Sequence, residues 1–310
     1  MLPVTSTLRV MPSIADALAR GLPVVALETS VLSQGLPIPH NADAAARMLS
    51  AVEGAGAVAA LTAVAAGQAT LGLTDEELER FLARDGVRKV SARDLAACMV
   101  QGRDGATTVA ASLTLAHAAG VEVFATGGIG GVHRGAPFDE SADLTALSRT
   151  PVLCVCAGAK SILDLPATLE RLETLGVPVV GYGTDELPGF FTRGTGLPVP
   201  QRADSPAEIA AIARSHWSLG ERSAILVVQP PPAHAALDAA VVAAAVEGAV
   251  RDAEAAGVTG ARLTPFLLGA VLAATAGRSL PANLALLEAN AALAAHIAVA
   301  CAALPAKKRT

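Results

Sequence analysis

Lysine is scarce in this chain. Of 23 Lys+Arg residues only four are lysines, and two of those, Lys307 and Lys308, lie in the last four positions. Lys89 and Lys160 are therefore the only amines carried on side chains within the body of the sequence. A guanidinium cannot act as an amine nucleophile, whereas a desolvated lysine can lose its proton and attack a carbonyl carbon. Lys160 sits in PVLCVCAGAKSILD, residues 151–164, where an apolar run breaks at Ala157-Gly158. The pattern reads as a buried strand handing the lysine to a helix expected over 162–175. Its small, apolar neighbours argue against an ordinary lysine reaching solvent.

Other chemistry-bearing residues lie far away in the sequence. Glu28 follows an apolar strand expected at 22–27, where partial desolvation raises a carboxyl toward the general-acid range. The competing reading is a strand-end acid bonded to the next loop. The run TGGIGGVHRG, residues 126–135, offers backbone N–H groups, His133 and Arg134 to an anion. It is not a dinucleotide fingerprint, because His133 stands where the third glycine would be, and no Gly-Lys-Ser/Thr follows to make a P-loop. A purely structural turn is the alternative. FDESAD, residues 138–143, places Asp139, Glu140 and Asp143 close together. Hard cations such as Mg²⁺ or Mn²⁺ favour such oxygen ligands, often one or two of them with waters; a solvated acidic loop capping the next helix is the other reading. Cys98, Cys154, Cys156 and Cys301 show no metal-ligand spacing and read as reduced core residues.

Strands and helices alternate around these positions. Apolar runs predict strands at 22–27, 58–64, 69–71, 87–90, 121–125, 152–156, 177–182 and 224–228. Helices are expected at 42–52 with Asn41 as N-cap, from Thr74 through a capping box to 83, after Ser91, over 105–119, after 142, and over 205–217. From 233 onward the pattern is helical. Residues 185–204, with three prolines, read as a flap or an oligomer contact. A mostly parallel sheet covered on both faces follows, with its ligand site beyond the carboxyl ends of the strands. Glu28, Lys89, the glycine loop and Lys160 all lie at or near such ends.

The bulk numbers allow one large α/β domain or two smaller ones, with ample core. The chain has 310 residues, 52% hydrophobic and 16% charged, with a mean hydropathy of +0.49. Alanine supplies much of that value. The longest uncharged run, 54–74, carries several glycines and reads as buried strands and turns rather than a membrane span. No secretory signal is visible, so a cytoplasmic protein with no membrane partner is expected. Net charge is −5 and aromatics make up 3%, which disfavours nucleic acid as a partner.

The blocks ALETSVLSQGLPIPHN, RKVSARDL, GATTVAAS, TGGIGGVHRG, FDESAD, VCAGAKSILD and TPFLLGAV together resemble those of the pseudouridine-5′-phosphate glycosidase family, from about residue 23 to 297. The resemblance implies a single-domain α/β/α sandwich with a mixed, mostly parallel sheet over 21–303, between an N-terminal arm (1–20) and a tail (304–310). It implies hydrolysis of the C–C glycosidic bond of pseudouridine 5′-phosphate to uracil and ribose 5-phosphate, in pseudouridine catabolism. The reaction is reversible. Mn²⁺ and a homotrimer are also implied. Carried over by motif, Lys160 is the nucleophile and Glu28 the proton donor. Lys160 attacks C1′ as Glu28 protonates the ring oxygen, the C–C bond breaks once uracil C5 is protonated, and water hydrolyses the lysine adduct. Asp139 would bind the metal. Lys89, Val109, Ser141, Ala142 and Asp143 would contact substrate, with Thr108, Thr126, His133 and Asn290 as further lining residues. The sequence departs from the family pattern where Glu288-Ala289 precede Asn290 and in a slightly short 134–139 loop. Another lysine-dependent phosphosugar lyase or aldolase, and a catalytically silent phosphosugar-binding relative, are the alternative readings.

Overall fold

The computed structural model describes residues 8–135, 138–258 and 263–304. The tail residues 305–310 and the first seven of the arm lie outside them. Five short apolar segments form the centre of the sheet: β2 (Val24–Leu27), β3 (Val58–Ala65), β7 (Val123–Ala125), β8 (Leu153–Cys156) and β11 (Ile225–Val228). They run parallel in the order β3-β2-β7-β8-β11 and continue through β9 (Val179–Tyr182) to β10 (Gln201–Ala203). β2, β7, β8 and β11 are buried throughout, as parallel strands covered on both faces must be.

The other edge is mixed. β3 pairs antiparallel with β4 (Gln68–Leu71) and with β6 (Gly105–Thr107), β5 (Arg88–Val90) lies parallel to β6, and β1 (Leu8–Val10) lies parallel to β4. Helix α11 (Ser279–Ala303) lies along β2, β7 and β8, flanked by α2 (His40–Gly54) and α8 (Pro206–Ser218). Helix α5 (Val109–Ala118) lies along β2, β3 and β7 with α6 (Ala142–Leu147) beside it. The chain is a single-domain α/β fold with a mixed, mostly parallel sheet. α11 is long and apolar enough to span a bilayer, but here it is a core helix, most of its apolar length buried against the sheet.

Several local expectations change on contact with tertiary structure. The arm is built in: β1 joins the sheet, and Ile14 and Ala17 of α1 (Pro12–Ala19) enter the core. Asn41 does not cap α2. The helix starts at His40, and the buried Asn41 amide instead donates to Leu32 O and Leu82 O. The helix expected from 105 begins only at Val109, because residues 105–107 pair with β3 and β5. The capping box at Thr74 is present, opening α3 (Asp75–Ala83). The 185–204 segment packs into the fold. Leu187, Phe190 and Phe191 are buried, and its end forms β10.

Candidate active site

The strand that delivers Glu28 ends in a buried carboxyl whose two oxygens are both occupied. Ser30 Oγ donates to Oε2 at 2.6 Å, and Thr126 Oγ1 donates to Oε1. Below it, hydroxyls tie three strands together. Thr29 Oγ1 donates to Thr62 O at 2.8 Å and accepts from Thr107 N at 3.0 Å, while Thr62 Oγ1 donates to Leu27 O. These groups are fully buried, so each bond left unmade would cost about 1–3 kcal/mol. Glu28 therefore stands on a braced floor.

Thr126 is braced from behind by α11. Asn290, 1% exposed, donates through Nδ2 to Thr126 O at 2.8 Å and to Gly127 O at 3.3 Å. Its Oδ1 accepts from Gln229 Nε2 at 2.9 Å, and Gln229 N donates to Cys156 O. Asn290 thus supports the wall rather than presenting a free amide to the cleft. Gln229 carries no sequence motif that would have singled it out.

The glycine loop is used differently from expectation. The N–H groups of Ile129, Gly130, Val132 and His133 are already committed to Gly158 O, Asp143 Oδ2, Thr168 Oγ1 and Asp139 O. Its glycines answer to crowding: a Cβ on Gly128 would lie 2.6 Å from the Phe190 ring, and one on Gly130 would lie 2.2 Å from Ser141 Oγ. Those groups are not free to cradle a phosphate.

Another candidate anion site lies at the start of α5. Thr108 is its N-cap residue but makes no side-chain cap bond, and its Oγ1 is buried without a partner. Val109 opens the helix, where unpaired N–H groups and the helix dipole favour negative charge. Asp143 holds this terminus in place, accepting from Ala110 N and Gly130 N, each at 2.9 Å. Its carboxylate is thereby occupied. Ser141 caps α6 through Asp143 N, and Ala142 is the first residue of that helix.

Lys160 lies in a tight loop after β8, not at a helix start. Its N–H donates to Ile129 O, its carbonyl accepts from Leu163 N, and α7 (Leu165–Thr174) begins only at Leu165 with Asp164 as the cap and Pro166 in the first turn. Lys89 comes from within β5, which runs against the central strands, rather than from a strand end. Its side chain is exposed by accessible area but is partly desolvated by the cleft it lines. That desolvation pushes its pKa below the ordinary lysine value. The charge of Lys160 adds to the shift, while Glu28 and Asp143 oppose it.

Glu28, Lys89 and Lys160 line one cleft with Ser30, Gly127 and Phe190, a cavity of about 50 Å³. Gln34, Leu268 and Asn283 also line it, and they line a larger cavity of about 210 Å³ as well. His133 and Asp139 do not line this cleft. With Arg134 and Glu254 they face a separate cavity of about 210 Å³ beside α9 (Ala239–Ala255) and α10 (Leu263–Ala274). His133 Nδ1 lies 3.1 Å from Asp139 Oδ1, within ion-pair distance but not aligned for a hydrogen bond. Glu140 is paired with Arg171 at 2.8 Å. Among the described residues no three His, Cys, Asp or Glu side chains cluster to hold a metal ion. Cys154 and Cys156 face each other on β8. Their mutual hydrogen bond, and then burial, raise the Cys154 thiol well above its usual range, consistent with inert core residues.

This arrangement suits amine addition at a carbon whose leaving oxygen is protonated nearby, on a substrate anchored by an anion. Most of the chain is similar to known proteins. Residues 13–300 match the sequence model of the family described as Indigoidine synthase A like protein. A pseudouridine-5′-phosphate glycosidase from Gemmatimonas aurantiaca is 63% identical over 94% of this chain and 95% of its own length. One from Herpetosiphon aurantiacus is 52% identical over 93% and 96%. Among solved structures, the prealnumycin C-glycosynthase AlnA in complex with ribulose 5-phosphate is 39% identical, with a TM-score of 0.90 over 96% of this chain and 98% of its own. An indigoidine synthase A-like protein from Thermotoga maritima is 36% identical, with a TM-score of 0.86 over 94% and 95%.

Proposed function

We infer the reaction from one premise: the chain belongs to the Indigoidine synthase A like protein family and, within it, to the pseudouridine-5′-phosphate glycosidases. It is an enzyme of C-glycoside cleavage. We propose that it splits pseudouridine 5′-phosphate into uracil and ribose 5-phosphate through a covalent lysine adduct. The observation that carries this reading is the meeting of Lys160 and Glu28 in one cleft, from strands far apart in sequence.

An ordinary glycosidase expels an oxygen or nitrogen that accepts a proton readily, and a pair of carboxylates suffices. Here the leaving atom is a carbon, so the sugar needs an electron source. In the proposed sequence, neutral Lys160 Nζ bonds to C1′ while Glu28 delivers a proton to the ring oxygen, whose bond to C1′ breaks. The new ammonium passes its proton to the Glu28 carboxylate, leaving the lysine as a secondary amine on an opened chain. Once uracil C5 is protonated, the nitrogen lone pair forms a C1′=N bond. The electrons of the C1′–C5 bond return to the uracil ring. Water adds to the imine, releasing ribose 5-phosphate and regenerating the amine.

The phosphate would rest at the α5 N-terminus on Thr108 Oγ1 and the Val109 N–H, with Lys89 supplying charge. Asp143, Ser141 and Ala142 shape that terminus through the bonds described above. Such anchoring holds the reacting atoms in register, where effective concentration contributes to rate. Thr126 and Asn290 orient Glu28. Asp139 is the acidic-loop carboxylate bound neither by an arginine nor by backbone N–H groups. It fits a hard ion held by one protein carboxylate with waters, Mn²⁺ or Mg²⁺, and His133 is its neighbour. Such an ion would supply positive charge in the cavity that His133, Arg134 and Asp139 line, apart from the lysine cleft. The same reading includes a cytoplasmic homotrimer, which light scattering on the purified protein would test.

Pseudouridine 5′-phosphate should release uracil, and uridine 5′-phosphate should not. Equal rates on both would point to an ordinary nucleotide hydrolase. Release from neither, with cleavage of another phosphosugar, would favour the lyase or aldolase reading.

A further inference from the structure

The sheet splits beneath Glu28. β2 ends at Leu27, which pairs with Leu61 of β3, and two residues further along β3 the antiparallel β6 begins to pair, Ala63 with Ala106. β4 occupies the opposite edge of β3, so β2 and β6 follow one another along a single edge. On that edge neither ladder includes Thr62. Such a gap leaves backbone groups that a buried site must pair by other means.

Four hydroxyls close it. Thr62 O accepts from Thr29 Oγ1 at 2.8 Å and from Thr107 Oγ1 at 2.7 Å. Thr62 Oγ1 donates to Leu27 O at 3.0 Å, and Thr29 Oγ1 accepts from Thr107 N at 3.0 Å. Ser112 Oγ, in the first turn of α5, lies 2.8 Å from Thr62 Oγ1 and donates to Thr107 Oγ1 at 3.1 Å. All four residues are fully buried, and none lines the lysine cleft. Pairing of backbone groups accounts for the three threonines. It does not account for Ser112, whose hydroxyl reaches only Thr62 and Thr107 among the described residues and so serves to tie α5 to the junction.

The sequence neighbours of these residues give the junction its meaning. Thr29 follows the proposed acid, Glu28, and Thr107 precedes Thr108, where the phosphate is proposed to rest. One hydrogen bond, Thr107 N to Thr29 Oγ1, therefore links the two across 78 residues of sequence. Val90 pairs with Thr107 and accepts from Thr108 N at 2.9 Å, which brings Lys89 into the same unit. In the substrate only O5′, C5′ and C4′ lie between the phosphorus and the ring oxygen, so the protein must match a short, fixed span. We propose that Thr29, Thr62, Thr107 and Ser112 are positioning residues that set the distance from Glu28 to the phosphate-binding start of α5. A substrate anchored at α5 is thereby held with its ring oxygen at the acid. This rests on the reaction proposed above and deepens it. Satisfied buried networks of this kind rigidify the elements they join, and misplacement by about 1 Å can cost on the order of a hundredfold in rate.

The test sets turnover of pseudouridine 5′-phosphate against borohydride trapping of ribose 5-phosphate, with each variant assayed where circular dichroism shows it folded. Thr29→Val should lower kcat by roughly tenfold to a hundredfold, with KM within about threefold of wild type. Thr29→Ser keeps the hydroxyl and should restore kcat to within about threefold of wild type. Ser112→Ala leaves every backbone bond in place and should lower kcat by about threefold to tenfold, which decides the matter if Thr29→Val does not fold. Open-chain ribose 5-phosphate brings its own aldehyde and needs no proton on a ring oxygen, so trapping on Lys160 should match wild type in all three. Wild-type kcat in Ser112→Ala or in folded Thr29→Val, or trapping that falls in step with turnover, would overturn the assignment. Failure of wild type to release uracil at all would instead sink the underlying reaction.

Discussion

The two walls of the cleft are built on opposite rules. On one, every polar group has a protein partner: Glu28 with Ser30 and Thr126, Asn290 with Gln229 and two carbonyls, Asp143 with two backbone N–H groups. On the other, Gln34 Oε1 and Asn283 Oδ1 in the cleft, Arg84 Nε in the adjoining cavity and Thr108 Oγ1 at the start of α5 have none among the described residues. The satisfied wall fixes geometry without touching much of the substrate. The unsatisfied wall holds desolvated groups that substrate would complete. The contrast separates positioning from binding, and substitutions on the two sides should fail differently.

The largest effect should come from the nucleophile between them. Lys160→Arg keeps the charge and loses the amine, and uracil release should fall on the order of 10⁴-fold or more with the fold intact by circular dichroism. On the satisfied wall, Glu28→Gln keeps a hydrogen-bonding group for Ser30 and Thr126 but removes the acid. We expect kcat to drop by roughly 10²–10⁴-fold with KM little changed. Asn290→Ala should cost about 1–3 kcal/mol of stability in urea unfolding and lower kcat as well. Its effect should be far from additive with Gln229→Ala, since the two side chains form one unit. A wholly additive pair would break the idea of a braced wall.

The unsatisfied wall should behave in reverse. Thr108→Val removes a buried hydroxyl without a partner, so stability should hold or rise while KM increases about tenfold. The smallest effect concerns Lys89. Its folded pKa lies below the ordinary value because desolvation, and then Lys160, disfavour its charge. The unfolded chain therefore binds more protons between the two values, and stability rises with pH across that window. Below the folded pKa the charged amine costs stability in full. Lys89→Met should be slightly more stable than wild type at neutral pH, with the gap closing as pH approaches the ordinary lysine range. The partial exposure of Lys89 keeps this effect small, and a gap that widens with pH would contradict the assignment.

Much of this was legible in the sequence because it depends on local pattern. Central strands appear as short apolar runs since they are buried on both faces, and Lys160 stands out because arginine fills the other cationic positions. Strands β6 and β10 were hidden: three residues carry no period, and their identity comes from partners elsewhere in the chain. The start of α7 was misplaced because the loop that holds Lys160 is stabilised by bonds to Ile129 and Val132, not by its own sequence. The glycine loop misled for a related reason. Glycine suits both an anion cradle and close packing, and only contact with Phe190, Ser141 and Thr168 distinguishes them. Gln229 and Asn283 are single polar residues whose roles depend on neighbours far along the chain. The one local hint is Asn283 and Asn290, two buried amides seven residues apart on an apolar helix, close to two turns and hence on one face.

Two lysines enter the cleft, and the account assigns the covalent bond to only one of them. Borohydride reduction of the protein with ribose 5-phosphate, followed by peptide mass mapping, decides between them directly. The account expects one adduct, on the peptide carrying Lys160, absent from Lys160→Arg and retained in Lys89→Met. An adduct on Lys89, or uracil release at full rate by Lys160→Arg, would contradict it.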